Sequence, residues 1–332
     1  MKRVGHLWSS VVSWPNLLEA YYRAAKGKKY SPPVIKFAAD LEQNLLSVQT
    51  KLLMGQINGG TYQHFYIYEP KKRYISAPAF EDQVVHHALI NSCGLYFEKY
   101  QIYDSYACRK HKGTHAALQR AAGYSAKYAW YLKLDVRQYF ASIDHHRLNI
   151  QLRRMFKDPQ VLDLLHRIIA GYHTDPGQGL PIGNLTSQYL ANHYLAPVDH
   201  LIKEKLQVPG YVRYMDDMVL WSSDRDVLKK AFAAIRQMVA DELNLVLKPP
   251  LYNRVQRGLA FLGYRIYPDQ FLLSTRSKLR FRRKSKFYHH QWQRGAWDEN
   301  TCRVHFSALS AFTRLADTYN MRKLMLEKLI RS

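Results

Sequence analysis

The chain has 332 residues, enough for one large domain or two to three lobes around a shared core. Lys plus Arg is 49 against 26 for Asp plus Glu, a formal charge of +23, and the apolar share of 47% excludes a disordered basic tail as its source. A folded chain this basic calls for an acidic partner, nucleic acid ahead of a membrane surface, because the cations are spread along the chain and not gathered on one amphipathic helix. A merely soluble basic protein is the plain alternative. No apolar run reaches the length of about 18 residues that would span a bilayer, and MKRVGHLWSSVVSWP lacks a secretory h-region and cleavage site. Cys93, Cys108 and Cys302 form neither a disulfide framework nor a C-x-x-C zinc site, and a reducing cytoplasm fits them.

In chain order, residues 1–60 read as helical, with Trp14-Pro15-Asn16 a helix start, Ser31-Pro32-Pro33 a break and Gly59-Gly60 the close. Residues 61–80 alternate aromatic and polar side chains around Glu69-Pro70, which predicts a β-hairpin with basic residues near its tip. Residues 81–124 read as helical, with an interruption at 103–112. In YAWYLKLD, Trp130, Leu132 and Leu134 alternate with Tyr131 and Lys133, the period of a half-buried strand ending at Asp135. One helical stretch is expected from His145 to Ala170, then a loop at Gly177–Pro181 and a helix over 184–206 capped by Asn184. YVRYMDDMVLWSS places two carboxylates between two short apolar strands. The next helix carries Val227, Leu228, Phe232, Ile235, Val239 and Leu243 on one face, with Ser223 or Asp224 as its cap. The last lobe begins near Ser274, opens with the basic run Arg276–Lys286 and ends in two helices. The adjacent pairs His86-His87, His145-His146 and His289-His290 point apart on any regular element, so they read as surface or phosphate-facing residues, not as one metal site. The order of elements predicts an α+β sheet domain with helical appendages.

Asp216 and Asp217 are the most informative residues. Adjacent carboxylates beside apolar strands repel each other, and a divalent cation with oxygen ligands removes that cost. A solvent-exposed turn is the competing reading for a bare Asp-Asp pair. Asp135 also stands at a strand end. If its strand lies beside the 211–222 hairpin, three carboxylates converge, and such a cluster can hold two Mg²⁺ ions roughly 4 Å apart for nucleotidyl transfer.

Tyr214-Met215-Asp216-Asp217 resembles the YxDD box of reverse transcriptases. The segment Leu134–His145 resembles their first catalytic motif, and Leu180–Gln188 their nucleotide-pocket motif. Phe261-Leu262-Gly263-Tyr264 resembles the primer grip and Pro70-Lys71-Lys72-Arg73 the fingers motif. Order and spacing agree over roughly residues 60–270. Most reverse transcriptases related to group II introns carry Gln-Gly where this chain has Ile182-Gly183, and Ser-Pro where it has Ser187-Gln188. The form IGNLTSQ, with Tyr106–Arg109 and Lys112–His115, resembles the reverse transcriptases of diversity-generating retroelements.

The resemblance implies an α+β right-hand polymerase fold with fingers, a palm of antiparallel sheet plus helices, and a helical thumb. It divides the chain into an N-terminal helical extension over 1–60, interleaved fingers and palm over 61–273, and a basic helical thumb over 274–332. It implies an RNA-directed DNA polymerase that copies template-repeat RNA into cDNA with adenine-directed errors. Asp135, Asp216 and Asp217 match the metal-binding triad, with the carbonyl of Val136 as a further ligand, for two Mg²⁺ ions or Mn²⁺ in their place. Arg73 and its partner Lys71 match the grip on the triphosphate, though a solvated hairpin tip would look the same. Phe140, with Tyr139 as the neighbouring alternative, matches the aromatic that bars a ribose 2′-OH; core packing is the other fate of such a ring. Lys248 resembles a lysine that protonates pyrophosphate, or is a surface lysine. Ile182 offers only apolar contact where a glutamine would hydrogen-bond the incoming nucleotide, so discrimination should fall; Gln188 belongs to the same pocket. Arg276, Arg280, Arg282, Arg283 and Lys284, interleaved with aromatics, suit a nucleic-acid backbone or a solvated helix face. The implied partners are template RNA, cDNA, dNTPs and a small basic oligomeric accessory variability protein, with no membrane, in the cytoplasm of a bacterial or phage-infected cell. A group II intron-like or retron reverse transcriptase, and a non-catalytic RNA-binding protein domesticated from a polymerase, are the alternatives.

Overall fold

The structure is a computed structural model that describes residues 2–57, 59–68 and 72–330. Four helices come first: α1 (Trp8–Val11), α2 (Trp14–Ala25), α3 (Pro32–Ala38) and α4 (Leu41–Leu53). Pro15 sits in the first turn of α2, where a missing N–H costs nothing. Ser31-Pro32-Pro33, expected to break a helix, instead starts one. Ser31 is extended, as a residue before proline prefers, and Pro32 supplies a helical φ at the first position of α3.

The antiparallel hairpin β1 (Tyr62–Ile67) and β2 (Arg73–Pro78) follows, with Tyr66 opposite Tyr74 and Ile67 opposite Arg73. Helices α5 (Phe80–Tyr100) and α6 (Thr114–Lys127) flank the interruption expected near residues 103–112. Next come β3 (Trp130–Asp135), the short α7 (Tyr139–Ser142), α8 (His145–Met155) and α9 (Pro159–Ala170). The single helix expected from His145 to Ala170 is thus divided. Proline at 159 bars the helical conformation at Asp158, and Val4, near the N-terminus, makes an isolated bridge to Phe156 in the gap.

Helix α10 (Leu185–His200) runs into a π-helical turn, Leu201–Lys205. Then come β4 (Gly210–Tyr214), β5 (Asp217–Ser222), α11 (Arg225–Asp241), β6 (Leu251–Arg254), β7 (Leu259–Phe261), β8 (Tyr264–Ile266) and β9 (Phe271–Leu273). Asp224 caps α11 through the Asp226 amide. The chain ends in α12 (Thr275–Gln293), α13 (Glu299–Thr313) and α14 (Tyr319–Ile330), with the Ser274 hydroxyl capping α12 through the Ser277 amide.

The central antiparallel sheet has the order β4-β5-β3-β6, and β7-β8-β9 form a second sheet. Both faces of the central sheet are covered. Leu132, Leu134, Met218 and Leu220 enter the main core, while Tyr131, Val212, Val219 and Trp221 pack into a second cluster with α6 and β7–β9. The half-buried strand expected at Trp130–Asp135 is therefore buried on both sides: Tyr131 is 2% exposed. His86, expected at the surface, is also buried, because α5 is wrapped by α2 and α10. A third small cluster, around Phe281, Tyr288 and Leu309, holds the last three helices together.

Candidate active site

The β4–β5 hairpin turns at Met215-Asp216, with Tyr214 opposite Asp217. The tight turn forces Met215 into a left-handed conformation, φ 58°. On the other side of β5, Asp135 of β3 stands directly across from Asp217. The two inner strands and the turn before β5 therefore bring Asp135, Asp216 and Asp217 to one end of the sheet.

Their electrostatics follow from crowding and burial. Burial pushes the Asp217 carboxyl up to about 6; Lys133 opposes this, and Asp135 and Asp216 add to it. Burial also raises the Asp216 carboxyl, with Asp135 contributing and Lys248 and Arg73 opposing. Two lysines stand against the carboxylates. Lys133 Nζ is 3.0 Å from Asp217 Oδ2, and Lys248 Nζ is 2.6 Å from Asp135 Oδ1. The Lys248 amide also donates to the Asp135 carbonyl at 2.9 Å. The next residue, Val136, bridges to Leu247, which fixes the backbone there.

Asp135 Oδ1 and Asp217 Oδ1 are buried without a hydrogen-bond donor; the Lys248 contact lies outside hydrogen-bond geometry. Oxygens of this kind, close together and only partly neutralised, fit a hard divalent cation. Among the described residues, no three His, Cys, Asp or Glu side chains are drawn into a closed coordination shell. The donor set fits the metal, while the lysines supply the countercharge in this conformation.

Asp217 opens onto a cleft of about 1200 Å³, which Arg73, Arg276, Arg280 and Arg283 also line. The Arg280 guanidinium lies over the Phe312 ring, 4.9 Å from its centroid. Arg282 is exposed outside this wall, and Lys284 borders a separate hollow with Phe287 and Tyr288. Lys71 lies outside the described residues.

The pocket segment packs against the hairpin. The Ser76 amide of β2 donates to the Ile182 carbonyl at 2.9 Å, and the Leu180 amide donates to the Phe140 carbonyl at 2.7 Å. Ile182, Gln188 and Phe140 are all half-buried. Asn184 occupies the N-cap position of α10, but its side chain donates to the Tyr62 hydroxyl, not to the helix. Tyr139 is a correction: it is 3% exposed and its hydroxyl donates to the Ala191 carbonyl, so its ring is core and not free to meet a sugar. The left-handed Gln138 turns it inward.

The residues missed in the sequence are Lys133, Arg213 and Asp199. Arg213 is fully buried, and its Nη2 lies 2.7 Å from Asp199 Oδ2. The available signal was a cation inside an otherwise apolar strand, three residues before Asp216.

A family profile described as reverse transcriptase (RNA-dependent DNA polymerase) matches residues 68–266. The chain belongs to the reverse transcriptase family. Its matched region includes every carboxylate above, and it is an RNA-directed DNA polymerase domain, a nucleotidyltransferase by class. This reverse transcriptase is 24% identical over 134 residues to the COX1/OXI3 intron 1 protein of Saccharomyces cerevisiae, covering 38% of this chain and 16% of that protein. It is 25% identical over 112 residues to the intron 2 protein of the same yeast, covering 32% of this chain and 13% of that one. The chain therefore spans only a small part of the length of these relatives. The solved apo telomerase of Candida tropicalis, truncated from its C-terminal domain, superposes with a TM-score of 0.51 at 12% identity, over 66% of this chain and 55% of that one. That likeness concerns the fold, which is the right-hand polymerase fold of the family. Among the described residues, no helix of this reverse transcriptase is long and apolar enough to cross a membrane.

Proposed function

We propose that the chain is the reverse transcriptase of a diversity-generating retroelement, copying template-repeat RNA into cDNA with errors directed to template adenines. The observation that carries this reading is the isoleucine at 182, in a segment whose backbone is tied at Ser76 to β2, the strand that begins with Arg73. On this reading residues 1–60 are an extension, 61–273 the fingers and palm, and 274–332 the thumb.

Asp135, Asp216 and Asp217, with the Val136 carbonyl, are the residues that would hold two Mg²⁺ ions, or Mn²⁺ in their place. Such ions would supply Lewis-acid activation of the primer 3′-hydroxyl and neutralisation of the triphosphate. Arg73 and Lys71 grip the phosphates, where charge builds in the transition state. Lys248, whose ammonium stands inside the site at 2.6 Å from Asp135 Oδ1, donates a proton to the departing pyrophosphate. Phe140 excludes a ribose 2′-OH. Ile182 and Gln188 border the incoming base and sugar, and an apolar contact at 182 holds a mispaired nucleotide nearly as well as a paired one. Arg276, Arg280 and Arg283, which line the cleft with Asp217, track the duplex backbone, while Arg282 and Lys284 stand outside it. A basic oligomeric accessory variability protein completes the system, which acts in the cytoplasm.

An intron-type reverse transcriptase is the second reading, favoured by the likeness to the yeast intron proteins. Sequencing cDNA made on one RNA template by the wild type and by Ile182→Gln separates the two. The retroelement reading expects errors concentrated at template adenines, falling severalfold in the variant. Low and unbiased error in the wild type overturns it in favour of the intron type. Adenine-biased error that the variant leaves unchanged removes the role given to Ile182.

A further inference from the structure

None of the chemistry above uses Arg213, although it is the most heavily bonded side chain near the carboxylates. It lies on β4 on the same side as Tyr211, with no exposed surface. Its Nε donates to Asp199 Oδ1 at 2.8 Å and its Nη2 to Asp199 Oδ2 at 2.7 Å. Nη2 also reaches Gln101 Oε1 at 2.9 Å, at the end of α5. Nη1 donates in two directions, to Asn192 Oδ1 at 3.0 Å and to the Met215 carbonyl at 3.1 Å. The backbone of Arg213 is held as well: its amide donates to the Asp104 carbonyl, and its carbonyl accepts from the Tyr106 amide, both at 2.9 Å.

Two features of this arrangement point beyond stability. Met215 is the residue forced to a positive φ, a conformation that a long side chain adopts only when its surroundings impose it. Its carbonyl belongs to the peptide that leads into Asp216. Asn192 and Asp199, in turn, lie on α10, whose first turn carries Gln188. A planar guanidinium with donors in fixed directions therefore joins the carboxylate turn to the helix of the nucleotide pocket.

We propose that Arg213 is a positioning residue: by clamping the Met215 carbonyl against Asn192 and Asp199, it sets where Asp216 and Asp217 stand relative to α10. The inference rests on reading those two carboxylates as the metal-binding pair. Lysine keeps a charge for Asp199 but has no planar fork, so Arg213→Lys frees the turn while leaving the ion pair. Asn192→Ala loosens the same clamp from the other side. Tyr211→Phe is the control. It removes a hydrogen bond to Asp199 in the same buried cluster, 2.7 Å long, without touching Met215.

The measurement is Mn²⁺ binding to the protein–RNA/DNA primer–template complex, followed by electron paramagnetic resonance, alongside Mg²⁺ dependence of dNTP incorporation and thermal melting. Arg213→Lys and Asn192→Ala are expected to raise the half-saturating Mn²⁺ and Mg²⁺ concentrations severalfold and to lower kcat by about tenfold or more, with RNA affinity unchanged. Tyr211→Phe is expected to lower the melting temperature without moving the metal midpoints. If Arg213→Lys does not fold, Asn192→Ala decides. Metal midpoints that stay at the wild-type value in the folded variants, or that move equally in Tyr211→Phe, overturn the proposal. A wild type without Mg²⁺-dependent incorporation sinks the polymerase reading separately, and the Mn²⁺ titration still tests the clamp.

Discussion

Asp216 stands at the tip of a two-residue turn, where burial and Asp135 both raise its carboxyl above the usual range. Asp216→Asn keeps the shape and removes the charge. On the proposed metal-binding role, its loss is worth several kcal/mol, on the order of a thousandfold in rate. Mg²⁺-dependent dNTP incorporation on an RNA primer–template should fall by that amount while RNA binding holds; a variant within tenfold of wild type would exclude Asp216 from the chemistry. Gly183 is constrained differently. Its φ is +132°, and a Cβ would lie 3.0 Å from Ile75 Cγ2 and 3.1 Å from the Ser76 carbonyl. Gly183→Ala should cost about 1–3 kcal/mol, read from the denaturant midpoint, and raise KM for dNTPs because Ile182 is displaced with it. At this scale the sequence was most legible for Asp135, Asp216 and Asp217, which the paired strands bring together as their strand-end positions led one to expect. It was least legible for Tyr139 and Phe140. Adjacent aromatics look alike in a string, and the left-handed Gln138 decides which one turns into the core.

Helices α5 and α10 pack against each other and carry buried histidines. Burial holds His86 and His193 down, each to about 4 from 6.5. Both stay neutral in the folded chain, whereas the unfolded chain protonates them below about pH 6.5. Stability is therefore whole above that pH and declines as pH falls toward 4. A shift of this size corresponds to about 3 kcal/mol per residue. Thermal melting should be level from pH 7 to 8 and drop steeply between 6.5 and 4.5. His193→Leu should flatten the drop, and an unchanged acid limb would show that His193 is already charged when folded. The element boundaries themselves were legible where a cap or a proline marks them, as at Asp224, Ser274 and Pro15. The division of the expected 145–170 helix was not, because the signal at Asp158-Pro159 was outweighed by apolar periodicity on both sides of it.

Across the whole molecule, the charge of +23 is distributed so that Arg73, Arg276, Arg280 and Arg283 face one cleft with Asp217. If each neutralises about one phosphate, log affinity for a primer–template should fall against log salt with a slope of roughly −3 to −4. Filter binding between 50 and 400 mM salt checks it, and a slope near zero would rule out a phosphate-tracking cleft. The sequence by itself gave the reaction class, because Asp135 and Asp216-Asp217 stand in motifs that resemble those of reverse transcriptases in order and spacing, and it gave the sign of the partner, because net charge does not depend on folding. Only the tertiary structure decided that Lys133 and Lys248 face those carboxylates, that Lys284 and Arg282 stand apart from the cleft, and that Arg213 lies in the core. Those facts depend on which strands pair and on what covers each face of the sheet, and contacts between residues far apart in the chain leave no period in the sequence.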